Sequence, residues 1–402
     1  MNESEKMVYE LCRRSFLSLW SYPNPVRQDG RELCDILVVV DPDVIIFSVK
    51  EIKYPAAVLD DIGVKRWLRR AIYRSVKQIY RAEKSIVGMK HVITHEGAQG
   101  LPLPDSGERK IHRIAVALGS MAKARYIGSL DYGKGYVHVF DERSLQIILR
   151  ELDTITDFVQ YLSSVESLCD RGTWVISDGA EDVLAYYFLN NRSFREVGDR
   201  LVIREPLWDI LQGEPKFARK KQEDAISYLW DRLIEGISRQ IQEGTLDYEG
   251  RPGDGERALR AMARESRLNR RVLSQQIHDA LQTTPKTKQR SKVLPSFSGT
   301  TYVLLVCERE RDRNQRRTEL LERCFVARGL NPTSSVVVGI ATEHPDPSGN
   351  SYDVCHLEIP EWTDEDKAQA DAIQKERSYF VDADRLAVPV DEYPSSADEE
   401  TS

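Results

Sequence analysis

No apolar run of about 18 residues occurs in the sequence, so no membrane-crossing helix is expected. The opening residues, MNESEKMVYE, are acidic and polar and lack a signal-peptide core, which makes a cytoplasmic location the expectation. No C-x-x-C pair exists among the six cysteines (12, 34, 169, 307, 324 and 355), several of which sit in apolar runs. They read as reduced core thiols rather than zinc ligands or bridges. The seven histidines form no H-E-x-x-H, and His95-Glu96 stands alone. Neither G-x-G-x-x-G nor G-x-x-x-x-G-K-[ST] is present, so nothing argues for a bound dinucleotide or an NTPase. Excess basic charge is missing too. The formal net charge of −7 argues against a uniformly basic coat but leaves local patches open.

What is present is a chain of 402 residues, 41% hydrophobic, long enough for two or three packed domains. The pattern predicts an α/β protein. A domain of mixed sheet and helices spans 1–150, and a mainly helical connector spans 151–295. A second α/β domain follows at 296–385, then a disordered acidic tail at 386–402. In the second α/β domain, TYVLLVC, a charged helix and SSVVVGIAT read as a parallel βαβ unit across 301–343. Arg251 to Lys292 carries eleven Lys or Arg against four Asp or Glu, and reads as a second phosphate-contacting surface or a solvated connector. Residues 97–108 and 283–296 read as loops, and 4–20 as a helix capped by Ser4.

The stretch that organises the first domain is Glu32 to Lys53. Residues 36–40 and 44–49 are almost all Val, Ile, Leu or Phe, at strand length, and are separated by Asp41-Pro42-Asp43. The hairpin brings Asp35, at the start of the first strand, to Lys50, Glu51 and Lys53 at the end of the second. Two carboxylates beside a lysine suit metal-dependent phosphodiester chemistry. Turn length decides which residues meet, because cross-strand partners share a face. If 40 pairs with 44, Asp35 shares a face with Val49, Glu51 and Lys53. If 41 pairs with 44, it shares one with Ser48 and Lys50.

A second informative stretch, Val64 to Lys84, holds eight Lys or Arg and a single Glu. At helical spacing Arg66, Arg70, Arg74, Lys77 and Arg81 form one cationic stripe, with Leu68, Ile72, Val76, Ile79 and Ile86 on an apolar face. Like charges at i,i+4 repel, so such a stripe is best explained by facing phosphates.

Asp on one strand and acid-x-Lys on the next, followed by a helix, resembles the PD-(D/E)xK, or restriction-endonuclease-like, nuclease superfamily over about the first 140 residues. Glu51-Ile52-Lys53 matches acid-x-Lys literally, whereas Ser48-Val49-Lys50 has Ser in the acid's place. The resemblance implies a restriction-endonuclease-like core and a Mg²⁺-dependent (or Mn²⁺-dependent) endonuclease. Asp35 and Glu51 would ligate the metal with the carbonyl near Ile52, and Lys53, or Lys50 in the other register, would act on the water and phosphate. The basic helix would grip nucleic acid, DNA rather than RNA, with Glu10, Glu32, Ser48 and Gln78 as accessory candidates. It further implies a homodimer and, by analogy of fold, defence against phage or foreign DNA, while the C-terminal domain is expected to recognise a protein partner, a signal ligand or the substrate. The alternative is a catalytically degenerate nuclease fold that binds nucleic acid or aids assembly.

Overall fold

The computed structural model describes residues 1–52, 69–119, 130–131, 133–242, 253–283, 288–346, 349–381 and 390–393. The chain divides into two units, Met1–Ala218 and Arg219–Ser402. Each is mixed α/β, with its own sheet and helices. The stretch read as a connector is therefore not a third body. The boundary falls within the helix Pro215–Asp224, so the helices on either side belong to different units. Most of the expected acidic tail lies outside the described residues. Among the described residues no helix is long and apolar enough to cross a membrane.

In the first unit, α1 (Glu3–Phe16) is capped by Asn2, whose side chain accepts the Glu5 N–H, and not by Ser4. It ends at Leu17, where φ is 70°. The strands β1 (Ser21–Pro23) and β3 (Asp43–Glu51) then flank β2 (Ile36–Val40), each antiparallel to it. A π turn at Arg69–Tyr73, helix α2 (Arg74–Ile86) and a small hairpin of β4 (His91–Ile93) and β5 (Gln99–Pro102) lead to β6 (Lys110–Leu118). Part of the segment read as a loop at 97–108 is thus a strand. With β7 (Leu130–Asp131) and β8 (Tyr136–Phe140) the sheet has the order β1-β2-β3-β6-β8-β7. β3, β6 and β8 are parallel to one another.

Both faces of this sheet are covered, which is why β2 reads ILVVV without alternation. Leu37, Val39, Val44 and Ile46 pack with Ile72, Val76, Ile79 and Ile86 beneath α2. Each such buried Val or Ile contributes roughly 1.5–3 kcal/mol. The opposite face meets α1 and α3 (Glu142–Glu151). Thr154 caps α4 (Ile155–Asp170), a helix separate from α3. β9 (Trp174–Ile176), α5 (Ala180–Leu189), β10 (Arg200–Val202) and α6 (Leu207–Gly213) complete the unit.

The second unit continues α7 (Pro215–Asp224) into α8 (Tyr228–Gln242), α9 (Asp254–Ala263) and α10 (Arg267–Thr283). Its sheet orders β11 (Arg290–Pro295), β12 (Thr300–Cys307), β13 (Val336–Glu343) and β14 (Tyr352–Glu358) side by side. β12 and β13 are parallel and joined through α11 (Arg313–Leu330), which is the βαβ unit read from sequence, and α12 (Asp364–Arg377) follows. β11 occupies residues read as loop, because its Arg, Ser and Lys content suits an edge strand better than a core one.

Within the basic stretch 251–292, three of the cations turn inward. Arg267, Arg270 and Arg271 are buried. Arg267 and Arg270 meet Asp231 at 2.9 and 2.5 Å, and Arg271 lies 3.4 Å from Asp224. These cations are internal ion-pair partners rather than a surface.

Candidate active site

The pairing of β2 with β3 sets Val40 opposite Asp43 and Ile36 opposite Phe47. One further step along the ladder places Asp35 across from Ser48, on the face of β3 that carries Ile46, Ser48 and Lys50 and looks toward α2. The face shared by Asp35, Ser48 and Lys50 is therefore the one formed. Asp35 is 2% exposed, and its charge is met on every side. Its Oδ2 accepts the Val49 N–H at 2.5 Å and Lys50 Nζ at 3.4 Å. Its Oδ1 accepts Gln78 Nε2 at 3.2 Å, and Gln78 Oε1 in turn accepts the Ser48 hydroxyl at 3.2 Å. A buried carboxylate without such donors would be strongly destabilising.

The β1–β2 ladder does not stop at the sheet edge. Asn24 N–H donates to the Asp35 carbonyl, Val26 bridges Glu32, and Arg27 N–H donates to the Arg31 carbonyl. Gly30, at φ 75°, supplies the left-handed turn at the tip. The tip is tied down by the Val26 N–H on the Ile93 carbonyl at 2.9 Å. Between this tip and α2 lies a cleft of about 790 Å³. Arg27 and Arg31 line it from the tip, Arg74, Lys77 and Arg81 from the helix, and Lys50 from the strand. In a chain of net charge −7, this concentration of cations makes the cleft a locally positive patch.

Glu32 also lines the cleft, near enough to Asp35 for the two carboxyls to influence each other. Its pKa is raised, first by partial burial, then by the neighbouring Asp35 carboxyl and the Glu5 charge; Lys50 pulls the other way. Asp35 and Glu32 are thus the two carboxylates that meet here. Among the described residues no group of three or more His, Cys, Asp or Glu side chains is gathered for a metal.

The structure brings together Asp35, Glu32, Ser48, Lys50 and Gln78, and places Arg74, Lys77 and Arg81 along the same cleft. It does not bring Glu51 there. Glu51 lies on the opposite face of β3 and accepts the Ser4 hydroxyl at 2.5 Å. The cause is the two-residue turn: 40 pairs with 43, so odd-numbered positions of β3 face α1. Ile52 continues the ladder through its N–H on the Leu118 carbonyl and packs its side chain on the α2 core. Glu10 pairs with Arg13 on the solvent side of α1 at 2.8 Å, away from the cleft. Arg70 is exposed in the π turn before α2 and does not line the cleft. Lys53 and Arg66 lie outside the described residues. Arg27 and Arg31 are functional candidates that the sequence analysis does not single out. Their placement on either side of Asp29-Gly30, just ahead of Glu32 and Asp35, was the available signal of a hairpin tip.

Behind the sheet, away from the cleft, His112 Nε2 lies 2.8 Å from Asp43 Oδ1 and His138 Nε2 lies 3.0 Å from Glu166 Oε1. Burial lowers the His138 pKa, while His138 and its neighbours His112 and Arg113 hold that of Glu166 below its usual range despite partial burial. Comparison of the chain with protein-family models, with curated proteins and with solved structures finds no match.

Proposed function

We propose that the first unit is a divalent-metal-dependent phosphodiesterase that cuts nucleic acid, DNA in preference to RNA, on a core of the PD-(D/E)xK type. The observation that carries this reading is the buried Asp35 carboxylate, held by Val49 N–H, Lys50 and Gln78, with Lys50, Gln78 and the neighbouring Glu32 in turn lining a cleft rich in cations. Mg²⁺ is ordinarily held by one or two carboxylates together with water and phosphate oxygens. Asp35 and Glu32 supply that number of hard oxygen donors, and Mn²⁺ would accept the same set. The ion, when bound, polarises the phosphoryl group and acidifies a water.

The remaining work falls to the chain itself. Lys50 presents its ammonium at the cleft, one bond from Asp35, where it can donate to a phosphoryl oxygen as negative charge grows. Gln78 and the Val49 N–H hold Asp35 in one rotamer, so the carboxylate is oriented before substrate arrives. Arg74, Lys77 and Arg81 on one wall, with Arg27 and Arg31 on the other, bind backbone phosphates and give affinity with little sequence information.

A second reading rests on Ser48, a hydroxyl where the acid-x-Lys pattern expects a carboxylate: a nucleic-acid-binding protein without catalysis. Incubating the purified protein with supercoiled plasmid, linear DNA and RNA, with Mg²⁺, Mn²⁺ or EDTA, separates the two. Metal-dependent cutting that disappears in Asp35→Ala establishes the enzyme. Salt-sensitive binding with no cutting under any metal establishes the binder.

A further inference from the structure

We propose that Cys324 and Cys355, in the second unit, form a reversible disulfide when the protein meets a thiol oxidant, making this pair an oxidation site in the C-terminal sheet. The two thiols come from different elements, Cys324 from the middle of α11 and Cys355 from the edge strand β14. Their sulfurs lie 3.2 Å apart. Closing to a disulfide, about 2.05 Å, needs a movement of only about 1 Å.

The approach is made possible by Gly339, which sits opposite Cys355 in β13. A Cβ at this position would lie 2.6 Å from each sulfur and 2.9 Å from Leu320 Cγ. The glycine is required for space, since its backbone is not in the left-handed region. A larger residue would drive the thiols apart. The other four cysteines occupy separate places, on α1, before β2, on α4 and at the end of β12.

The two sulfurs differ in access, and that sets the order of events. Cys355 is partly exposed and Cys324 is buried. Burial and the hydrogen bond with Cys355 hold the Cys324 thiol well above its usual pKa, so it waits as the resolving thiol. With glutathione disulfide as oxidant, the Cys355 thiolate attacks one sulfur and expels one glutathione thiolate. Cys324 then gives up its proton and attacks Cys355 Sγ, releasing the second glutathione. Two protein thiols lose two electrons and two protons, and one glutathione disulfide becomes two glutathiones. The product ties α11 to the edge strand.

The test uses the full-length protein, folded, titrated with glutathione disulfide or diamide. Free thiols should fall from six to four, non-reducing peptide mapping should join the Cys324 and Cys355 peptides, and dithiothreitol should reverse both. The thermal midpoint should rise on oxidation. Cys324→Ser should stop at a mixed disulfide on Cys355, and Cys355→Ser should take up oxidant at neither position. Gly339→Ala should lower the extent of closure in protein that circular dichroism shows to be folded. Retention of all six thiols in folded protein under conditions that oxidise the unfolded chain would overturn the proposal, as would a cross-link between any other pair. None of these readouts depends on phosphodiesterase activity.

Discussion

Asp35 Oδ2 accepts the backbone N–H of Val49 at 2.5 Å, a bond that crosses the strand pair and fixes which side of β3 the site uses. Because it engages the main chain, it leaves the side chains before and after, Ser48 and Lys50, pointing the same way as Asp35. Lys50 is therefore expected to matter and Glu51 is not. Lys50→Ala should lower the rate of cutting about 10²–10³-fold, the usual loss when one transition-state donor is removed. Glu51→Ala should leave it unchanged and shift stability by no more than about 0.5 kcal/mol, as for an exposed surface position. Single-turnover cleavage by the two variants checks this.

Metal binding should follow the carboxylates that meet rather than those adjacent to the lysine in sequence. Titration with Mn²⁺, read by calorimetry or by the rise in thermal midpoint, should show a site lost in Asp35→Asn and weakened in Glu32→Gln. Glu51→Gln should bind as wild type does. Full retention of the site in both Asp35→Asn and Glu32→Gln would remove this pair from consideration.

Salt dependence should report the walls of the cleft. Each phosphate contact removed from duplex DNA should reduce the slope of log affinity against log salt by about 0.9. Arg74→Ala, Lys77→Ala, Arg81→Ala, Arg27→Ala and Arg31→Ala are each expected to do so. Arg70→Ala, outside the cleft, should leave the slope where it was.

Acid should weaken the first unit from behind the sheet. His138 has a folded pKa below its ordinary 6.5, so the unfolded chain takes up its proton first, and stability falls as pH drops below about 6.5. Glu166, also lowered in the fold, contributes stability above its ordinary 4.5 that is lost as pH falls through and below that value. The two act in the same direction in successive windows. Denaturant titrations at pH 8, 6 and 5 should show the decline, and His138→Gln should remove its upper part.

Removing Asp231 should be among the most damaging single changes in the second unit. Asp231→Ala would strand the buried guanidiniums of Arg267 and Arg270, at a cost of about 3–5 kcal/mol. Asp231→Ala combined with leucine at both arginines should recover much of that loss, as measured by denaturant midpoint.

Those two arginines also show where sequence reading reached its limit. Their charge was plain in the sequence, but the aspartate that buries them lies more than thirty residues earlier, on another helix, and no local pattern announces it. The hairpin β2–β3 was legible because both its faces are buried and its strands are continuous apolar runs. On α2, Arg74, Lys77 and Arg81 were legible because these cations and the apolar Val76 and Ile79 fall on separate faces at helical spacing. The βαβ unit of the second sheet was legible for the same kind of reason. Register was not: whether 40 pairs with 43 or 44 reverses the face of every following residue, and the Asp-Pro-Asp turn admits either. Choosing the literal acid-x-Lys match led to Glu51, which the ladder turns toward α1. Glu32 was seen only as a more distant acid, because nothing in the sequence says that the ladder runs on past Asp35 and folds its tip back.

The contrast between the cleft and the whole chain has a consequence for arrival as well as for grip. Since the cleft holds an excess of cations and the total charge is −7, the rest of the chain is more negative than the total suggests. On the proposed function, a polyanion at low ionic strength should be drawn toward the cleft by its local field, so that arrival there has a direction. Adding salt blurs that direction before it loosens the final contacts, and the first thing lost is the speed of finding the cleft.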